Sequence, residues 1–173
     1  MVTHFTEPYN WFHITDAFKN YQELLDNLPG NDEYVQYRHY PKRYLYPCKD
    51  SFWKSLVDEF KERHGPNTRV QLCRDFDGYS IGPHTDGSEK STIIYYLATD
   101  EKQEHLGTTI YIPKVNGFKC DGKKHHDVSG FYKYKTVSYL PNTAFGFYRC
   151  DYSFHGVEKT DSVRNVLQVS IHD

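Results

Sequence analysis

His84-Thr85-Asp86 sets an imidazole and a carboxylate two residues apart. At a strand end that spacing lets both side chains point the same way. Together they would cover two neighbouring corners of a metal ion. The spacing alone carries little weight. With 10 His and 14 Asp in the chain, random order gives about 0.8 such triplets. A second copy, His125-His126-Asp127, follows Lys123-Lys124 and has no strand after it. Nearby positive charge opposes the gathering of a divalent cation, so this copy reads as loop.

A third ligand for the first copy must come from far along the chain. His155, in Ser153-Phe154-His155-Gly156-Val157, follows the last well-marked central strand and precedes a final one. Two histidines and one carboxylate on one face of a metal leave three positions open, the arrangement that suits non-haem Fe(II). Nine residues beyond His155, Arg164 opens a strand over residues 163–171. Alternation puts Arg164, Val166, Gln168 and Ser170 on one face, and Asn165, Leu167, Val169 and Ile171 on the other. An arginine among such neighbours is costly to bury unpaired. A ligand carboxylate would satisfy it through bidentate hydrogen bonds, and so would a protein carboxylate at the sheet edge.

The elements that must position these residues are legible in pieces. Residues 16–28 predict a helix, with Asp16 as N-cap, an apolar face of Phe18, Tyr21, Leu24, Leu25 and Leu28, and Pro29-Gly30 at its end. Residues 50–64 predict another, with a stripe of Phe52, Trp53, Leu56, Val57 and Phe60 closed by Gly65-Pro66. Residues 68–73, 92–97, 108–112, 136–140, 144–148 and 163–171 are short β-branched or aromatic runs between turn residues, and read as strands. Two helices followed by at least six strands predict a mainly β, sheet-on-sheet domain of the jelly-roll group, its helices packed on one sheet. The expected division is a helical part over about 1–66 and a β core over about 67–173. The stretch 113–135 carries Lys114, Lys119, Lys123, Lys124, Lys133 and Lys135 against only Asp121 and Asp127. It reads as a solvated loop or as a lid.

Bulk properties narrow the class. A length of 173 residues suits one domain. The 21 basic and 23 acidic residues nearly cancel, and a net charge of −2 argues against nucleic acid as the partner. No apolar run approaches the ~18 residues of a membrane span. Residues 1–8 lack the layout of a signal peptide. Cys48, Cys73, Cys120 and Cys150 are far apart and form no C-x-x-C, so neither a zinc site nor a disulfide framework is expected. Reduced thiols point to the cytoplasm.

Four segments in order carry a family resemblance: "GYSIGPHTD" (78–86), "IIYYL" (93–97), "GTTIYIP" (107–113) and "SFHGVEKTDSVRNVLQVSI" (153–171). Over roughly residues 68–172 the chain resembles the Fe(II)- and 2-oxoglutarate-dependent oxygenases, in their prolyl-4-hydroxylase-like branch. The first 65 residues match nothing comparable. The resemblance implies a double-stranded β-helix in which His84, Asp86 and His155 hold iron. It implies that Arg164 binds the distal carboxylate of 2-oxoglutarate, with Tyr96 reaching the same group or else serving as a core aromatic. The implied reaction is hydroxylation of a C–H bond, with release of succinate and CO2 and with ascorbate as a candidate reductant. Val166 stands where related branches carry Ser or Thr, and Ser170 where the nucleic-acid demethylases carry a second Arg. Asp86 keeps the carboxylate that the halogenating branch lacks.

Arg74, Tyr79 and Arg149 are candidates for substrate contact at the barrel mouth. Arg74 is equally well explained by a surface ion pair. The expected substrate is a small molecule or a peptide, and the sequence leaves its identity and the oligomeric state open. The rival readings are a cupin-like or non-catalytic jelly-roll that binds a small ligand, and a nucleic-acid hydroxylase using the Lys-rich stretch as a clamp. Arg164 separates the first rival, since a simple binding module has no need of a buried cation across from the metal.

Overall fold

The computed structural model describes residues 1–119 and 125–173. Twelve strands and two α-helices form among them. In chain order they are β1 (Val2–Phe5), β2 (Trp11–Thr15), α1 (Tyr21–Asp26), β3 (Val35–Gln36), β4 (Arg43–Tyr46), α2 (Ser51–His64), β5 (Arg69–Asp75), β6 (Ile81–His84), β7 (Ser91–Tyr96), β8 (Thr108–Pro113), β9 (Phe131–Val137), β10 (Thr143–Tyr148), β11 (His155–Val157) and β12 (Arg164–Ile171).

Two antiparallel sheets result. The larger runs β1-β2-β10-β7-β12-β5-β4-β3 and the smaller β6-β11-β8-β9. Strand alternation sorts side chains between two cores. Cys73, Ile94, Tyr96, Phe145, Phe147 and Val166 of the large sheet meet Ile110 and Val137 of the small one. On the opposite face of the large sheet, Leu72, Ile93, Tyr95, Leu167 and Val169 pack under Leu24 of α1 and Trp53 and Phe60 of α2. β12 therefore divides as its alternation predicts, with Val166 inside and Leu167 and Val169 beneath the helices.

The helix α2 forms where the sequence places it. Asp50 caps it by accepting a hydrogen bond from the Trp53 amide at 3.0 Å. Gly65, at φ 101°, turns the chain away at the other end, a conformation that disfavours any residue with a Cβ. The first helix is shorter than expected, spanning Tyr21–Asp26 rather than 16–28. Asp16 adopts φ 52°, and the Phe18 amide is held by Asn142 Oδ1 at 2.8 Å. That stretch thus follows a tertiary contact instead of local propensity.

The division at residue 66 is also corrected. The segment contributes four strands that extend both edges of the large sheet, β1-β2 beside β10 and β4-β3 beside β5. These strands are short, and two of them expose most of their side chains, so alternation carried little signal. The strand expected at 136–140 lies earlier, at β9, an edge strand of the small sheet with Lys133 and Lys135 exposed. Lysines on an edge blunt unwanted strand pairing, and they gave the segment the look of a loop. Cys48, Cys73 and Cys150 are free thiols, whereas Cys120, Asp121, Lys123 and Lys124 lie outside the described residues. No helix among the described residues is long and apolar enough to cross a membrane.

Candidate metal centre

Register brings the three sequence-predicted ligands together. His155, opening β11, pairs directly with His84 at the end of β6. Gly156 permits this closeness, because a Cβ there would sit 2.5 Å from the Ile81 carbonyl oxygen. His84, Asp86 and His155 can each offer one ligand atom, all within 4.8 Å of one another. His155 Nε2 lies 3.5 Å from Asp86 Oδ1, and His84 Nε2 lies 3.9 Å from the same oxygen.

The orientation of each ligand is fixed from behind. His84 Nδ1 is 2.9 Å from the Gly82 carbonyl oxygen, and His155 Nδ1 is 2.9 Å from that of Ser153. A carbonyl only accepts, so each Nδ1 carries a proton and each ring is turned with Nε2 toward the other ligands. Thr92 Oγ1 donates to Asp86 Oδ2 at 2.5 Å, which leaves Oδ1 facing the imidazoles. Burial, followed by the neighbouring His155, holds His84 well below the ordinary histidine pKa. It is therefore neutral and competent to ligate. Two imidazole nitrogens and one carboxylate oxygen on one side form a donor set that fits a divalent iron.

A second cluster lines the same cavity, whose volume is about 200 Å³. Asp75 is fully buried. It accepts from Arg164 Nη1 at 2.7 Å and from Arg43 Nε and Nη2 at 2.6 and 2.9 Å. Arg164 Nη2 lies 3.4 Å from Thr108 Oγ1. Its buried Nε has no partner among the described residues. Two guanidinium groups thus face one carboxylate in this cluster, while Asp86, Glu89 and Arg69 also line the cavity. A buried guanidinium Nε without a partner favours an incoming acceptor such as a carboxylate.

The remaining candidates separate. Tyr79 lines the cavity, fully buried, with its hydroxyl unpartnered among the described residues. Tyr96 is held in the core, its hydroxyl accepting from the Thr108 amide at 3.2 Å and lying 3.4 Å from the Val137 carbonyl oxygen. Its ring lies 5.7 Å from the Arg164 guanidinium, and Tyr96 is not among the residues that line the cavity. Arg149 donates to the backbone carbonyl of Asp86 at 3.3 Å and braces the metal loop. Arg74 faces away from the cavity, bonding Asn165 Oδ1 at 2.8 Å and Asn31 Oδ1 at 2.5 Å over the ring of Tyr34. The expectation of substrate contact by Arg74 is corrected on this point. Along β5, Cys73 belongs to the inter-sheet core and Leu72 to the core under the helices. Arg74 therefore shares the outer face with Leu72, and Asp75 shares the inner one with Cys73.

Sequence reasoning also passed over Arg43, Asp75 and Thr92, and assigned His125 to loop away from the site. The strand was read over 68–73, short of Asp75, so the inward turn of Asp75 emerges only with the register of β5; Arg43 and Thr92 gave no signal. The second His-x-Asp copy is loop, but it is drawn to the site. The His126 amide donates to the Pro83 carbonyl at 2.8 Å. A Cβ on Gly82 would come within 2.5 Å of the His126 carbonyl oxygen. This docking leaves the His125 ring 4.8 Å from that of His84, with Nε2 3.0 Å from the Tyr40 hydroxyl.

No family model matches the chain, and no curated protein matches it. Solved structures do. A Pseudomonas putida prolyl-4-hydroxylase aligns with a TM-score of 0.62 at 12% identity, over 94% of this chain and 91% of that one. HygX from Streptomyces hygroscopicus, crystallised with nickel and 2-oxoglutarate, aligns with a TM-score of 0.59 at 14% identity, over 92% and 81%. The epimerase SnoN, with Fe3+, alpha ketoglutarate and nogalamycin RO, gives 0.59 at 12%, over 92% and 77%. The chain shares the fold of these 2-oxoglutarate-dependent enzymes.

Proposed function

We propose that the protein is an Fe(II)- and 2-oxoglutarate-dependent dioxygenase of the prolyl-4-hydroxylase-like branch, built on a double-stranded β-helix and hydroxylating a C–H bond of a small-molecule or peptide substrate. The observation that carries this reading is one cavity holding both a His-Asp-His ligand set and an incompletely bonded buried arginine. The fold shared with enzymes crystallised with nickel or iron and 2-oxoglutarate supports it.

His84, Asp86 and His155 would hold the iron, and Arg164 the distal carboxylate of 2-oxoglutarate. The register suits a five-carbon keto acid. His155 pairs with Ile110, and Thr108, two residues along β8, meets Arg164. At the rise of a strand, that separation is about 7 Å. Iron with 2-oxoglutarate and dioxygen would supply the chemistry, with dioxygen as the oxidant: one oxygen atom would go to the substrate C–H bond and the other to succinate, with CO2 released. The chain's own residues fix the geometry. The Gly82 and Ser153 carbonyls hold the imidazoles, Thr92 turns the carboxylate, and the two sheets exclude water. Tyr40, Glu89 and His125 line the rest of the cavity and offer polar contacts to a substrate.

Incubation with Fe(II), ascorbate and 2-oxoglutarate should release succinate even without the substrate. His84→Ala should abolish iron binding and turnover while the fold survives, because the ligand sits at a strand end. Arg164→Ala should raise the 2-oxoglutarate requirement at least ~10-fold, the scale of a lost charge-assisted hydrogen bond. Wild-type protein that binds iron but releases no succinate above a metal-free control sinks the proposal.

A further inference from the structure

We infer that Arg43 and Tyr79, contributed by β4 and by the turn between β5 and β6, form the second half of the anion subsite and select a keto acid carrying a distal carboxylate. This rests on the oxygenase reading above and adds two residues that the family resemblance does not assign.

Three observations converge. First, the charge is unbalanced. Arg43 and Arg164 share Asp75, with Arg43 bonded through Nε and Nη2 and Arg164 through Nη1. One ligand carboxylate would bring the cluster to neutrality. Second, the unused donors lie together. Arg164 Nε and the Tyr79 hydroxyl are both buried without partners among the described residues, and Arg43 bonds Asp75 through Nε and Nη2. Arg43 lies 4.6 Å above the Tyr79 ring, and all three residues line the same cavity. Buried polar groups rarely stay unpaired, and a set of them around one space marks a place that a ligand completes. Third, Tyr79 is among the residues that line the cavity and Tyr96 is not; the Tyr96 hydroxyl points its proton toward the Val137 carbonyl, 3.4 Å away, so the phenol facing an anion there is that of Tyr79.

Asp75 is then a positioning residue. It accepts on both oxygens and spaces the two guanidinium groups, so that an anion meets two cations held apart by a fixed carboxylate. Arg43 enters from a strand outside the region of family resemblance. The N-terminal segment thereby becomes part of the site.

The test is anaerobic calorimetry on the Fe(II)-loaded protein with two keto acids. One is 2-oxoglutarate. The other is 2-oxopentanoate, the same five-carbon chain with a methyl in place of the distal carboxylate. Arg43→Met and Tyr79→Phe should each weaken 2-oxoglutarate at least ~5-fold and leave 2-oxopentanoate within about 2-fold. Arg43→Lys should recover part of the loss, since it keeps the charge but not the fork. Unchanged 2-oxoglutarate affinity in both Arg43→Met and Tyr79→Phe overturns the inference. So do equal losses for the two keto acids, which would mean a general distortion of the pocket. Wild-type protein that binds iron but neither keto acid overturns the oxygenase reading itself, a different outcome from the other two.

Discussion

At the scale of the residue, the site is decided by groups that touch no ligand. Asp75 receives hydrogen bonds from two arginines and is fully buried. Removing its charge leaves two like charges facing one another in a region of low dielectric. Breaking a buried ion pair costs about 3–5 kcal/mol. Asp75→Asn should therefore lower the unfolding free energy in urea by about 3–5 kcal/mol, far more than an exposed pair such as Arg63–Glu59. A loss under about 1 kcal/mol would mean that the arginines find other partners or water. The sequence made the candidate ligands visible but not this carboxylate. A His-x-Asp before a strand can be read from spacing. An aspartate that turns inward beside an arginine that turns outward is separable only once the register of β5 is known.

At the scale of the element, α2 and β11 have opposite duties. The cap at Asp50 stabilises a helix packed on the outer face of the large sheet, away from the cavity. Asp50→Ala should cost roughly 1 kcal/mol of stability and leave metal affinity unchanged. β11 is a three-residue strand wedged between β6 and β8. Gly156→Ala would drive a Cβ toward the Ile81 carbonyl, 2.5 Å away. His155 must then move from His84, so this variant should lose at least ~10-fold in metal affinity, measured by titration of the protein with Fe(II). If Asp50→Ala weakened the metal as much as Gly156→Ala, the two faces of the sheet would not be independent. The same contrast explains what the sequence revealed. α2 has a cap, a stripe and a glycine stop within its own residues, and its expected and observed ends agree. β1, β3 and β9 lie at sheet edges with side chains in solvent, so their strand character comes from partners that no local pattern records. α1 was over-read because its apolar residues follow a helical period, while Asn142 fixes the chain before it.

At the scale of the whole molecule, burial of histidine couples the fold to pH. His13 on β2, His64 at the end of α2, His84 at the metal centre and His125 at its mouth all have pKa values lowered from the usual 6.5, each chiefly by burial. The unfolded chain takes up protons near pH 6.5 that the folded chain refuses. Unfolding therefore binds protons, and stability rises with pH across that range. The full contribution is present above about pH 6.5 and declines as the pH falls toward the lowered folded values. Carboxyl groups with lowered pKa, such as Asp50 and Asp161, add their own loss only below about pH 4, so the two effects occupy separate windows. In metal-free protein the urea midpoint should be flat between pH 7 and 8 and fall steadily from pH 6.5 to 5. His84, Asp86 and His155 converge only in the fold, and imidazoles ligate in the neutral form, so on the proposed reading the extra stability conferred by saturating Fe(II) under nitrogen should itself shrink as the pH falls. A midpoint that rises on acidification through this window would show that these histidines gain charge more readily in the fold than out of it. The neutral, inward-facing Nε2 atoms on which the metal centre depends would then have to be reassigned.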